Sequence, residues 1–377
     1  MRNIIKSILL ALLVLLSPNF IHASKLAKMA KKSGEIRIKD VSPHKTLTLR
    51  YNYGEMELVF WDKNEIVLKY DECVRASSQK RADEILQQRI AIKSIEGHYF
   101  RVGNADDSSV SFNSKWTVYV PSHISSVAAS NSFGNITVGK GFSGLIRIDV
   151  QNGDVNIPET KAMCVVEVTL GNFYVGNAAY LNMTTKHANG TISFAQTLKV
   201  QAEHADFCKI DKADVMTINS KHSKIKVGNV GQLSSQGSYS TLEVNELSGL
   251  ANIRDMQHST IEMDKFLGKL DATDLSYSKL NITISKFNHT PFIMVTDLDY
   301  TDVKVKLPAS LRTSTYVNCK GSCRSISSGT AKIKLSAPWS SPNGVSTHVF
   351  KNTESFTPNS LIDINNESYG TIMIEEY

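Results

Sequence analysis

The sequence predicts an all-β chain, a parallel β-solenoid (single-stranded β-helix) of about ten rungs behind an N-terminal β cap region. Three observations predict it. A short phrase recurs: a small or turn residue, then polar, apolar, polar, apolar. Its copies lie about 19 residues apart. A second, weaker strand follows many copies about ten residues later.

The phrase begins as Gly134-Asn-Ile-Thr-Val138, Gly153-Asp-Val-Asn-Ile157, Gly171-Asn-Phe-Tyr-Val175, Gly190-Thr-Ile-Ser-Phe194 and Asp206-Phe-Cys-Lys-Ile210. It continues as Ser223-Lys-Ile-Lys-Val227, Ser240-Thr-Leu-Glu-Val244, Ser259-Thr-Ile-Glu-Met263, Ser278-Lys-Leu-Asn-Ile282 and Thr301-Asp-Val-Lys-Val305. Every position expected to be apolar is apolar, and only Tyr174 and Phe207 break the polar positions. A period of two means a strand with one buried face. The second strand reads Ile146-Arg-Ile148, Val166-Glu-Val168, Leu181-Asn-Met183, Leu198-Lys-Val200 and Met216-Thr-Ile218. Between the two, a corner recurs as an apolar residue, glycine and leucine around Gly144, Gly249 and Gly268, where glycine supplies the backbone angles of a tight turn.

Two strands and two corners make one turn of a coil. Such a turn cannot bury its apolar face alone, so neighbours stack and pair strand on strand. Ten turns at roughly 4.8 Å give a rod about 48 Å long. A left-handed hexapeptide helix would need apolar residues every six positions. Stepping from Ile136 through Phe142 and Ile148 reaches Asp154, and the pattern fails. An antiparallel sandwich is the remaining rival.

The flanks divide the chain further. Residues 33–120 read mostly as strands with one charged segment, 78–90, of helical character; they form a cap over an open sheet edge. Residues 121–310 hold the repeats. Residues 311–377 hold an insertion rich in Ser, Thr, Asn and Gly, then a last rung at 361–365 and 370–374. Residues 1–23 read as a secretory signal peptide: Arg2 and Lys6, an apolar run at 8–16, and a cleavage end at Ala23. That run is too short to span a bilayer, and no later segment is apolar enough to do so. The mature chain is therefore expected to be exported, to the periplasm, the outer cell surface or the medium.

The net charge of +6 is mild for 377 residues, and the lysines at 25, 28, 31 and 32 read as a solvated tail, so no nucleic-acid partner is expected. Five cysteines, an odd number, argue against a full disulfide framework. Cys319 and Cys323 are spaced to close a small loop in an oxidising compartment, or to start a metal clip. No second Cys/His pair stands nearby, so no metal or cofactor is expected.

Stacking turns equivalent residues into ladders. The residue before the phrase is aromatic or histidine at Phe133, His222, Tyr239, His258, Tyr277 and Tyr300, and outside the array at Tyr53 and Tyr369. Read functionally, Tyr239, His258, Tyr277 and Tyr300 form a binding strip for a surface glycan or an envelope protein. Read structurally, they seal a corner, since aromatic neighbours stabilise one another by about 0.5–1.5 kcal/mol. A second ladder lies four residues before the phrase: Asn219, Gln236, Asp255, Asp274, Asp297 and Asn366. Stacked acids about 5 Å apart have the spacing of a retaining glycosidase pair, or of a calcium site. Turn-forming acids beside lysines are the plainer reading. The remaining histidines, His187 and His204 among them, fall mostly at corners and are expected to be exposed rather than catalytic.

On Val118-Tyr-Val-Pro121 leading into Ser132-Phe-Gly-Asn-Ile-Thr-Val138, the repeated Gly/Ser-x-Ile-x-Val phrase and the closing Tyr369-Gly-Thr-Ile-Met-Ile374, the chain resembles the bacterial adhesin-like families of envelope β-solenoid proteins. The resemblance covers most of residues 33–377. It departs where Ser or Asp replaces the phrase glycine from Asp206 onward. It implies a non-enzymatic, exported envelope or secreted protein with a binding or scaffold role and no catalytic residues. The alternative is a polysaccharide lyase or glycoside hydrolase of parallel β-helix type, with Asp255, Asp274 and Asp297 as its acids.

Overall fold

The computed structural model describes residues 28–43, 46–90, 93–95, 99–101, 111–285, 291–308, 310, 315–321, 326–328, 339–340, 346–350, 360–366 and 369–377. The expected signal peptide, Lys25, Cys323 and most of the expected insertion lie outside the described residues. The chain is nearly all strand, coiled into a parallel β-solenoid. One sheet carries the recurring phrase and is called the front sheet; the second strand of each turn builds the back sheet.

Register follows the predicted repeat. In the front sheet Met56 stacks on Ile136 and Ile136 on Val155. Further along, Ile192, Ile210, Val227, Val244, Met263, Ile282, Val305 and Ile374 lie in one column. In the back sheet Leu198, Met216, Leu233, Ala251, Leu270, Ile293 and Ile362 do the same. The inward columns of both sheets fuse into one apolar core reaching from Val41 to Ile374. The predicted last rung is present at Ser360–Asn366 and Ile372–Glu376.

One phrase is out of register. Gly190 pairs with Cys208 and Ile192 with Ile210, so the repeat starts at Ala188, two residues earlier than the sequence suggested. Phe194 therefore leaves the core and lies half-buried, with the Lys212 ammonium 5.7 Å from its ring centre. Gly190 occupies an inward slot because Phe173, one rung below, already fills it; a Cβ there would overlap the Phe173 ring and carbonyl. The bulk of one rung is compensated by glycine in the next.

The corners are of two kinds. At Gly134, Gly153 and Gly171 the backbone of the preceding turn comes so close that a Cβ would overlap its carbonyl oxygen. Gly249 and Gly268 are constrained in the same way. Close approach, rather than a left-handed backbone, is what requires glycine at these two, since neither has φ in that region.

From Ala205 onward serine replaces glycine and does something glycine cannot. The amides of Ala205, Ser223, Ser240, Ser259 and Ser278 donate to the hydroxyls of Ser223, Ser240, Ser259, Ser278 and Thr301, at 3.1–3.3 Å. Each hydroxyl in turn donates to the carbonyl two residues before it, at 2.8–3.0 Å. All five hydroxyl residues are buried. Left unpaired, each amide would cost about 1–3 kcal/mol. The departure from the glycine pattern is thus a hydrogen-bonded spine.

Residues 28–121 close one end of the rod. Lys28–Lys39, Glu65–Ala76 and Lys115–Pro121 extend the front sheet, the first two joints antiparallel, and Lys115–Pro121 pairs parallel with Glu55–Trp61. The lysines at 28, 31 and 32 belong to this edge strand and are exposed on it, so they are not a tail. The expected helix spans Gln79–Ile90, with Ser78 accepting from the Arg81 amide at its start. Its Ala82, Ile85 and Leu86 pack on Ala30, Val74 and Ala76.

From the last turn of the helix, Arg89 reaches into the end of the rod. Its guanidinium meets the Glu72 carboxylate at 2.9 Å, and both side chains are fully buried. It also donates to the carbonyls of Asn52 and Tyr53 and to the Tyr51 hydroxyl. Glu72 accepts further from Tyr51, Ser114 and Trp116. Burial, and the Glu72 charge beside it, push the Tyr51 phenol well above its ordinary range.

Arg89→Met is expected to lower stability by about 3–5 kcal/mol in urea denaturation, because it strands the Glu72 carboxylate in the core. A loss below about 1 kcal/mol would show that the cap is not tied through this pair.

Candidate functional site

The predicted aromatic ladder exists and is longer than expected. His187, His204, His222, Tyr239, His258, Tyr277, Tyr300 and Tyr369 stack in one unbroken column, with ring centres 4.8–5.1 Å apart and planes within 28°. Tyr53 and Phe133 form a separate pair at 4.8 Å. His187 and His204, expected at corners, do not fall on the ladder that the sequence predicts because their phrases differ in register: one begins at Ala188, and the other has an extra residue in Ala205-Asp206-Phe207. The signal was still there, a histidine directly before a small residue.

The backbone at this column is left-handed. His187, His204, His222, Tyr239, His258, Tyr277 and Tyr300 all have φ between 47° and 53°. Histidine tolerates that region better than most residues, whereas tyrosine does not. At roughly 1–2 kcal/mol each, the strain is repeated rung after rung. It is offset by ring stacking, about 0.5–1.5 kcal/mol, and, from His222 to Tyr300, by the hydroxyl spine directly following each ring.

The stack limits what these rings can bind. Each inner ring has both faces against neighbours, so the column presents edges, hydroxyls and ring nitrogens to solvent. A sugar that packs flat on an aromatic face has room only at the ends of the column. Tyr239, His258, Tyr277 and Tyr300 are all interior, so their geometry fits the corner-sealing role.

Asp255, Asp274 and Asp297 also form a column. Ser235 to Gly237 is matched by Ile253 to Met256, so Asp255 is an inserted bulge residue. Asp274 and Asp297 sit at the equivalent places in the next rungs. All three have φ of 50–56°, a conformation that aspartate adopts more readily than most residues. Asp297 accepts from Thr273 and Thr296 at 3.0 and 3.2 Å. The left-handed conformation is common to the three acids, and local hydrogen bonding adds to it at Asp297. Asn219 and Gln236, predicted on the same ladder, precede the bulge and have ordinary backbone.

Cys164 and Cys208 are buried free thiols, and burial pushes both up to about 12.

A depression that the sequence did not reveal lies on the back sheet near the cap. Three parallel strands form it: Thr46–Tyr51, Ser126–Asn131 and Leu145–Val150. Across them the outward residues run Thr48, Ala128, Arg147 and, one step along, Arg50, Ser130, Asp149. The middle strand carries only small side chains, while Arg50 and Arg147 rise from its neighbours. The result is an open polar trough of about 590 Å³ that runs along the middle strand and continues over Asn52, Ser132 and Gln151. Its residues are outward positions on separate turns, and no spacing in the sequence distinguishes them from other solvated strand residues.

Asp149 is half-buried in this trough and pairs in register with Glu167 on the next strand. Desolvation, with the Glu167 charge adding to it, raises its carboxyl above the ordinary 3.8. Depressions around Lys304 and around Lys212 are smaller, at about 250 and 320 Å³.

No family model matches this chain. No curated protein matches it. Among solved structures, it is similar to a putative cell adhesion protein from Clostridium sporogenes, 10% identical, with 92% of this chain and 100% of that one covered at a TM-score of 0.20.

Two outcomes follow from the geometry. Tyr277→Gly should destabilise less than Tyr277→Ala by about 1 kcal/mol in paired denaturation curves, because glycine relieves the left-handed strain that alanine keeps. Equal losses would mean that strain is not stored at this corner. At Asp149 the folded chain holds its proton more tightly than the unfolded chain, so stability falls as pH rises above 3.8. Asp149→Asn should therefore melt higher than the parent at pH 7, with the advantage gone by about pH 3.

Proposed function

We propose that this chain is a non-enzymatic, exported solenoid with an adhesin-like binding or scaffold role at the cell envelope or outside the cell. One observation carries the reading. The rod spends its regular ladders on its own corners, through stacked rings, a serine spine and aspartate bulges, and presents an open, shallow polar trough on its outer face. An open surface of this kind suits the recognition of an extended ligand. It favours a surface glycan over a partner that needs a deep apolar pocket. The left-handed bulge conformation of Asp255, Asp274 and Asp297, the acids weighed for catalysis, supports a structural use of them.

The purified secreted chain is expected to bind labelled cell surfaces, envelope extracts or members of a glycan array while leaving bound polysaccharides at full length, as followed by reducing-end release and viscosity. Depolymerisation that disappears in the Asp255/Asp274/Asp297 triple alanine variant would replace this reading with the lyase or hydrolase one. Absence of binding to any of the three would overturn it.

A further inference from the structure

We propose that the back-sheet trough is a binding site for an oligosaccharide bearing carboxylates, a uronate-type glycan segment laid along Ser126–Asn131; this rests on the reading of the chain as a binding solenoid and names its ligand class.

The shape selects an extended chain. The floor is Ala128 and Ser130, and the walls stand two strand spacings apart, about 9.6 Å. A volume of about 590 Å³ falls within the range of sites for small ligands, and the open ends allow a polymer to pass through.

The chemistry selects the sugar. Arg147 stands exposed on one wall, and its guanidinium fork pairs with carboxylates in a bidentate way. Arg50 stands on the other wall, one outward step along. Thr46, Thr48, Ser130, Asn52 and Gln151 supply hydroxyl and amide groups suited to a ligand rich in hydroxyls. Asp149 can accept from a hydroxyl.

The same features exclude a peptide that adds as a strand, which needs an open sheet edge. All three strands are paired on both sides, Thr46–Tyr51 by Tyr99–Arg101 and Ser126–Asn131, and Leu145–Val150 by Ser126–Asn131 and the next turn.

Calorimetric titration of the full secreted chain with oligogalacturonate, with its methyl ester and with polyglutamate tests the assignment. The acid form should bind at least about tenfold more tightly than the ester, and polyglutamate more weakly than either uronate form. Arg147→Gln should weaken uronate binding about tenfold, and Ala128→Phe, which fills the floor from an outward position, should do so at least as much. Lys269→Gln, further along the same sheet, should leave it unchanged. Melting curves check that each variant folds.

Equal affinity for acid and ester, tighter binding of polyglutamate, or full binding by Ala128→Phe would overturn the assignment. If envelope material still binds and Ala128→Phe does not affect it, the trough is not the site and the binding-solenoid reading stands. If neither uronates nor envelope material bind, both fall.

Discussion

Everything in this rod depends on vertical repetition at the spacing of hydrogen-bonded strands. Because each turn lies about 4.8 Å from the next, a residue is judged mainly by what stands directly above and below it. Inward, that rule produces one continuous apolar core. At the corners it turns a single left-handed residue into a column of them, and a single serine into a spine. Where one rung is too large, as at Phe173, the adjoining rung gives way at Gly190.

The repeat, the strand faces, the cap helix and the resumed final rung were legible in the sequence, because alternation of apolar and polar residues directly encodes burial. The failures are equally physical. Gly190 takes an inward slot but has no side chain, so a search for apolar residues slid two positions to Phe194. The extra residue before Cys208 then hid His204 from the aromatic column. The lysines near the start looked like a tail because strand pairing with Glu65–Ala76 leaves no mark on their own composition.

The site divides in the same way. Ladders were visible because they repeat along the chain; their roles were not, since a column of tyrosines reads alike whether its faces are free or stacked. The trough was invisible because it depends on contrast between turns. Ala128 and Ser130 matter only because Arg50 and Arg147 belong to the strands on either side, and those neighbours are separated from them in sequence by the cap excursion or by a full turn.

The two ends of the rod are closed out of sequence order. Lys115–Pro121 lies outside Glu55–Trp61 although it follows it in the chain. At the other end, Ser360–Asn366 and Ile372–Glu376 lie between the rung containing Asp302–Leu307 and the earlier strands Thr315–Gly321 and Ile326–Ser328. This interleaving has a mechanical consequence. A pull on Tyr377 cannot unzip an outermost strand one hydrogen bond at a time. Beyond Glu375 and Glu376, which pair on one side, it must shear Ile372–Ile374 out from between two neighbours, loading both ladders together. A rod anchored at that end would resist tension at its tip as a clamp does, rather than peel like tape.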